Sequence, residues 1–184
     1  MSPFSQLERA KNSSSVVDYQ RSLQGRLSAI SETSRLLIES KWQGANFLEI
    51  LQAELGPYLN SDRTNVSMQG PTVTLSVHAS LQLALAFHEL ATNAAKYGAL
   101  SVPEGRVSVE WLIDSGPKGD VLKLEWLENG GPEVRAPARC GFGETVVKKT
   151  IVLGLGGTWD VDYRPSGLHC RLELPLGHIT STDA

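Results

Sequence analysis

The chain has 184 residues, a formal net charge of -3 and a sequence pI near 5.8, with 41% hydrophobic and 20% charged residues. That composition fills one good core, or one domain with a small helical appendage, and leaves no basic footprint for nucleic acid. An anionic ligand would be held by local dipoles or a metal ion, not by bulk positive charge.

The N-terminal stretch MSPFSQLERAKNSSS lacks the apolar core of a signal peptide, and no apolar run approaches membrane-spanning length. The segment is therefore expected to be cytoplasmic, without membrane contact, any anchor of a parent protein lying outside it. Residues 16–39 predict a helix, in which Leu23, Leu27, Ile30, Ser34 and Leu37 step by four and three. That heptad seam suits a partner helix or the chain's own core, and periodicity leaves both open. A second helix over 45–55 ends at the breaker pair Gly56-Pro57.

Beyond residue 59 the pattern is mixed. NVSMQG (65–70) and TVTLSV (72–77) read as short strands, and a long helix follows over 79–97. Strands are predicted at 105–113 and 121–128, then a Gly/Pro-rich irregular stretch over 129–143 and a helix over 144–154. GTWDVDYR and HCRLELPL form a closing strand pair that turns at Pro165-Ser166-Gly167. Tight turns between consecutive strands imply an antiparallel or mixed sheet with helices on one face, an α+β sandwich. The expected organisation is a helical segment over 1–58, an α+β domain over 59–178 and a tail over 179–184. Cys140 and Cys170 lie far apart with no CxxC pattern and are expected to be free thiols.

The long helix carries FHELATNAAKYGAL, residues 87–100. Glu89, Thr92, Asn93 and Lys96 fall at i, i+3, i+4 and i+7 and share one stripe, beside an apolar face of Leu83, Phe87, Leu90, Ala91 and Ala94. A solvated surface stripe usually carries paired Lys and Glu. This one offers a carboxylate, a hydroxyl and a carboxamide, then ends in Tyr97-Gly98. Downstream, WLENGGP (126–132) leaves a strand directly into a turn, and GFG (141–143) precedes a helix. A glycine-rich lead into a helix frees backbone N–H groups at the positive end of its dipole. The three features together suggest a nucleotide site with three walls.

In order and spacing, FHELATNAAKYGALS, LEWLENGGP and CGFGETVV resemble the N box and two glycine boxes of the HWE family of sensor histidine kinases. That family is named for a His in the N box and a Trp-x-Glu pair, here His88, Trp126 and Glu128. GRLSAI, WQGANFLEILQAELGPY and GLHCRLELPL extend the resemblance over most of the chain. It implies the Bergerat ATP-binding fold with ATP and Mg²⁺ as ligands. Asn93 would hold Mg²⁺ through its side-chain oxygen. Glu89 would orient a metal-bound water or act as a base, and Lys96 would approach the phosphates. Glu128 stands where related kinases place an Asp that accepts from the adenine amino group. Gly130, Gly131, Gly141 and Gly143 would bound the nucleotide and its lid, with Tyr97, Phe142 and Thr145 beside it. Neither His88 nor Trp126 has a derivable chemical role, and packing is favoured for Trp126.

The resemblance also implies a phosphoacceptor His on a dimerisation hairpin. The four histidines, His78, His88, His169 and His178, all lie in the catalytic half. Glu8 of LERAKN aligns with the acceptor only across a large deletion, whereas a gap-free match makes residues 6–27 the end of the first helix, the turn and the second helix. An acceptor upstream of Met1 is preferred, and autophosphorylation by this chain alone is not expected. The implied function is transfer of the γ-phosphoryl of ATP to a histidine, for relay to a response regulator receiver domain, with helix 16–39 meeting a second protomer. A catalytically silent docking module with the same fold is the alternative. An ATPase using water is disfavoured, because the additional domains of such proteins find no match.

Overall fold

A five-stranded mixed sheet backs the molecule in the order Val66–Gln69, Arg106–Gly116, Gly119–Asn129, Gly167–Pro175 and Thr158–Arg164, with the first two parallel and every other pairing antiparallel. The computed structural model describes residues 20, 23–117, 119–134 and 142–180. Its strands are β2 (Val66–Gln69), β4 (Arg106–Gly116), β5 (Gly119–Asn129), β6 (Thr158–Arg164) and β7 (Gly167–Pro175). Alternation decides the two faces. Val107, Val109 and Trp111 of β4, Leu122, Leu124 and Trp126 of β5, and Cys170, Leu172 and Leu174 of β7 are buried, while Lys123, Glu125, Arg171 and Glu173 point away.

Helices cover the buried face. They are α1 (residues 23–39), α2 (Phe47–Leu55), α3 (Val77–Lys96), α4 (Phe142–Lys149) and the short α5 (Leu176–Ile179). Asn46 caps α2 by accepting from the Leu48 N–H at 2.8 Å, and Ser76 caps α3 by accepting from the Ala79 N–H at 3.2 Å. Ser76 also explains two differences from the predicted elements. By turning the chain into the cap it starts α3 at Val77, and it limits the strand expected over 72–77 to β3 (Thr74–Leu75). β3 pairs instead with a two-residue β1 (Ala45–Asn46) that leads into α2. The helix expected over 144–154 is α-helical only to Lys149 and widens into a π turn over Thr150–Gly154.

The core is continuous across residue 58. Phe47 of α2 meets Phe87 of α3 edge-on at 5.7 Å and Trp111 of β4 at 5.0 Å. Ile50, Leu51 and Leu55 join the same cluster as the sheet residues. In α1 the inward positions are Ala29, Thr33 and Leu37, spaced by four. Of the two uses left open for the seam, Leu23, Leu27 and Ile30 do not serve the chain's own core, since they face outward at 44, 59 and 37% exposure. Small residues at 29 and 33 let α1 lie close to its own domain, and only Leu37 of the seam enters the core. The part of the expected helix before residue 20 lies outside the described residues, as does Cys140. Cys170 is fully buried in β7, and that burial pushes its thiol well above its ordinary value. Among the described residues, no helix is long and apolar enough to cross a membrane.

Phe87 sits between α2 and the sheet with no exposed surface. Phe87→Ala is expected to cost about 3–5 kcal/mol in urea unfolding, because surrounding rings cannot close the hole. Leu153→Ala, at a position 78% exposed, should stay within about 0.5 kcal/mol of the parent.

Candidate functional site

The polar stripe of α3 opens onto a cavity of about 350 Å³. Its walls are Glu89, Thr92, Asn93 and Lys96 of α3 and Tyr97 just after it, with Gly143 from the start of α4 opposite. Gly143 sits directly over the stripe: a Cβ there would come within 2.5 Å of Glu89 Oε2 and 3.7 Å of Asn93 Nδ2. A carboxylate, a carboxamide, an ammonium and a phenol thus meet the first turn of another helix. Thr92 contributes less than its place in the stripe suggests. Its hydroxyl donates back to the His88 carbonyl at 2.8 Å and the Glu89 carbonyl at 3.1 Å, so it serves the helix backbone.

The far wall comes from elements that periodicity had not linked to the stripe. Gly25 and Arg26 of α1, and Tyr58 after α2, also line the cavity. The Arg26 Nε donates to Glu89 Oε1 at 2.6 Å, and Glu89 is only 5% exposed. His88 Nδ1 pairs with Glu54 Oε2 at 2.9 Å. Glu54 occupies a core-facing position of α2 with Ile50, Leu51 and Leu55, which is a readable signal: a carboxylate on an apolar face needs a partner. No comparable signal marks Arg26, 63 positions from Glu89 in the chain.

The second glycine region lies elsewhere. Glu128 is 2% exposed; its Oε2 accepts from the Ala99 N–H at 2.9 Å and its Oε1 from the Trp126 indole N–H at 3.1 Å. The Trp-x-Glu pair is therefore a buried unit bonded within itself, and it anchors the turn after α3. Gly130, at φ +71°, takes a backbone conformation that side-chain-bearing residues avoid, with Glu104 close by. Gly131 packs on Ala99, where a Cβ would approach that residue's Cα to 2.7 Å. None of Glu128, Gly130 and Gly131 lines the cavity. Thr145 faces an outer groove with Trp159 and Leu153 instead. Gly141 and the side chain of Phe142 lie outside the described residues.

Comparison with known proteins gives this geometry a context. The family model for HWE histidine kinases matches residues 6–72. The blue-light-activated histidine kinase of Brucella ovis is 37% identical over 153 residues, covering 82% of this chain and 31% of that protein. Its counterpart in Brucella anthropi is 32% identical over 151 residues, with the same coverage. The chain thus spans under a third of the length of the curated relatives it matches. Among solved structures, the histidine kinase domain of the Erythrobacter litoralis EL346 blue-light activated histidine kinase aligns at TM-score 0.65 and 20% identity, over 85% of this chain and 75% of that one. The catalytic domain of the histidine kinase ThkA, in a nucleotide-free form, aligns at TM-score 0.53 and 14% identity, over 71% and 93%. The fold is the α+β sandwich of histidine kinase catalytic domains.

Burial raises the Glu128 carboxyl above its ordinary 4.5, against the lowering effect of the bonds from Ala99 and Trp126. A native pKa above the unfolded one gives stability that is present below about pH 4.5 and lost as pH rises through the raised value. The stability of the parent relative to Glu128→Gln should therefore fall from pH 4 toward neutrality, as read by urea unfolding across that range. A difference that is flat or grows with pH would contradict the burial argument.

Proposed function

The chain belongs to the HWE histidine kinase family, and on that premise we propose that the α3 cavity is the ATP·Mg²⁺ site of a phosphotransferase. One observation carries the reading: Glu89, Asn93, Lys96 and Tyr97 face Gly143 around a single cavity. Among the described residues, no cluster of three or more His, Cys, Asp or Glu could hold a metal on its own. That suits Mg²⁺, which keeps several waters and takes one or two protein oxygens besides those of the substrate phosphates. Asn93 would supply the first through its side-chain oxygen and Glu89 the second through a water. When bound, the ion would neutralise charge on the β- and γ-phosphates. Lys96 adds a point charge on the same side, and the first-turn amides of α4 offer N–H donors at the positive end of a dipole. Glu128 retains lone pairs that could accept from an adenine amino group once the turn over 98–101 gives way.

In the proposed step, the bond from the γ-phosphorus to the bridging oxygen breaks and a phosphorus–nitrogen bond to an imidazole forms, releasing ADP. Glu89 or solvent takes the imidazole proton. In this reading none of the chain's own four histidines is the acceptor. His88 is paired through Nδ1 to Glu54, and its Nε2 lies against Gly25. His78 starts the same helix, fifteen residues and therefore about 22 Å of rise from Asn93. His169 lies on β7 beside Glu125, and His178 belongs to α5. The acceptor in this proposal is a histidine of another segment, and an Asp of a response regulator receiver domain takes the group next. Outward-facing Leu23, Leu27 and Ile30 support contact of α1 with a second protomer. A silent docking module is the second reading, favoured by the ion pair that already engages Glu89.

Calorimetry with ATP·Mg²⁺ separates the two. The parent chain should bind, and Asn93→Ala should bind at least about tenfold more weakly, the loss of one metal-side ligand with its waters left unpaired. Equal affinity removes the Mg²⁺ assignment. Adding a hairpin that carries an acceptor His should then produce phosphohistidine, and binding without transfer would favour the silent module.

A further inference from the structure

Strand β6 closes the sheet on one side, and among the described residues only β7 pairs with it. In an antiparallel pair, residues alternate between exchanging both backbone bonds with the neighbour and turning both groups away from it. The two-residue turn at Pro165-Ser166 closes on Arg164 and Gly167, which must therefore be a bonded pair. Arg164, Asp162 and Asp160 then bond to β7, while Tyr163, Val161 and Trp159 turn their N–H and C=O groups to the outer edge. Such a row is a template for another strand.

Charge is the usual guard of an exposed edge. Here Asp160 and Asp162 are already ion-paired, to Arg171 and Arg164. The inner side of the same strand is apolar. Trp159, Val161 and Tyr163 line a groove of about 440 Å³ against α4, together with Leu153, whose side chain is 78% exposed.

The strand reads nearly the same from either end. About Val161, WDVDY places an Asp and then an aromatic ring on both sides. A two-fold axis through Val161, perpendicular to the sheet, pairs β6 with β6 of a second copy, Val161 against Val161 and Trp159 against Tyr163. All three have outward backbone groups, so this register meets the bonding pattern. It also makes an aromatic cross-strand pair on each side of the axis. The same rotation brings groove against groove with complementary charge. α4 runs opposite to β6, since Glu144 accepts from the Tyr163 hydroxyl at 3.2 Å while the other end of that helix leads into Thr158. Glu144 of each groove is thus turned toward Lys148 and Lys149 of the other copy.

We propose that β6 is a self-association surface, through which two copies of the chain join their sheets edge to edge. The surface is independent of the nucleotide reading and of any contact made by α1.

The test uses the full 184-residue chain. Analytical ultracentrifugation should show reversible association at roughly tens of micromolar, as suits a small interface. Val161→Pro should weaken it at least about tenfold, because the ring removes an outward donor and obstructs the incoming strand, yet is tolerated where the N–H faces solvent. Asp162→Asn should tighten it by about threefold, because Asp160 and Asp162 of the two copies lie opposite one another and like charges there oppose pairing. Amide exchange by NMR then locates the contact. From roughly 10 µM to about 1 mM protein, the amides of Trp159, Val161 and Tyr163 should slow by about fivefold, as mass action fills the dimer. Those of Asp160 and Asp162, already bonded to β7, should not change, and Leu27→Glu on the outward face of α1 should show the same slowing. A parent that stays monomeric over this range would overturn the proposal. So would association that leaves the three amides unchanged, or a Val161→Pro variant that unfolds in urea like the parent and associates as tightly. If Val161→Pro does not fold, exchange in the parent still decides.

Discussion

The structure turns on one helix that must satisfy two environments at once. Over Val77–Lys96, α3 buries Leu83, Ala84, Phe87, Leu90, Ala91 and Ala94 against α2 and the sheet. The adjacent stripe carries Glu89 and Asn93, and Glu89 is almost as covered as the apolar residues beside it. A carboxylate at that depth is tolerable only if it is paired, because leaving it desolvated and alone would cost several kcal/mol. Arg26 provides the partner. The same requirement recurs at Glu54, answered by His88, and at Glu128, answered by Ala99 and Trp126. Each of these three carboxylates therefore ties α3 or the turn after it to another element.

These ties arrange the site around a fixed backbone. Ser76 starts α3, and Glu128 holds the Gly98-Ala99 turn where α3 ends. The helix is thus fastened at both termini and along one flank, while the sheet supports its back. A cavity stays open between the stripe and the beginning of α4. Polar groups facing an open volume, mounted on an otherwise packed helix, suit recognition of a charged ligand better than they suit folding.

Local pattern was enough to read the sandwich. Alternation in β4, β5 and β7 and the periodicity of α3 are properties of neighbouring residues, and both survive in the structure. The stripe of Glu89, Asn93 and Lys96 was legible for the same reason, since helical spacing alone puts these residues on one face. Legibility failed where the partner was distant or local alternatives competed. Thr92 looked like a ligand-facing hydroxyl, yet that hydroxyl donates to the His88 and Glu89 carbonyls of its own helix. Periodicity alone left open which face of α1 turns inward, and the structure buries Ala29, Thr33 and Leu37, because small residues at 29 and 33 permit closer approach than Leu27 and Ile30 would. Arg26 could not be linked to Glu89 from the sequence, as nothing local records that α1 folds back across the N box. Glu54 could have been, had its place on an apolar helical face been weighed.

The central claim is that a divalent ion and a triphosphate sit between Asn93 and Gly143. Replacing Mg²⁺ by paramagnetic Mn²⁺ with ATP, and following resonance broadening by NMR, tests this most directly, since the effect falls off steeply with distance from the ion. The account predicts that the side-chain amide of Asn93 and the backbone amide of Gly143 vanish first, Lys96 next, while His78 and His169 stay sharp. Broadening centred on the outer groove near Leu153 and Trp159, with Asn93 and Gly143 unchanged, would contradict it.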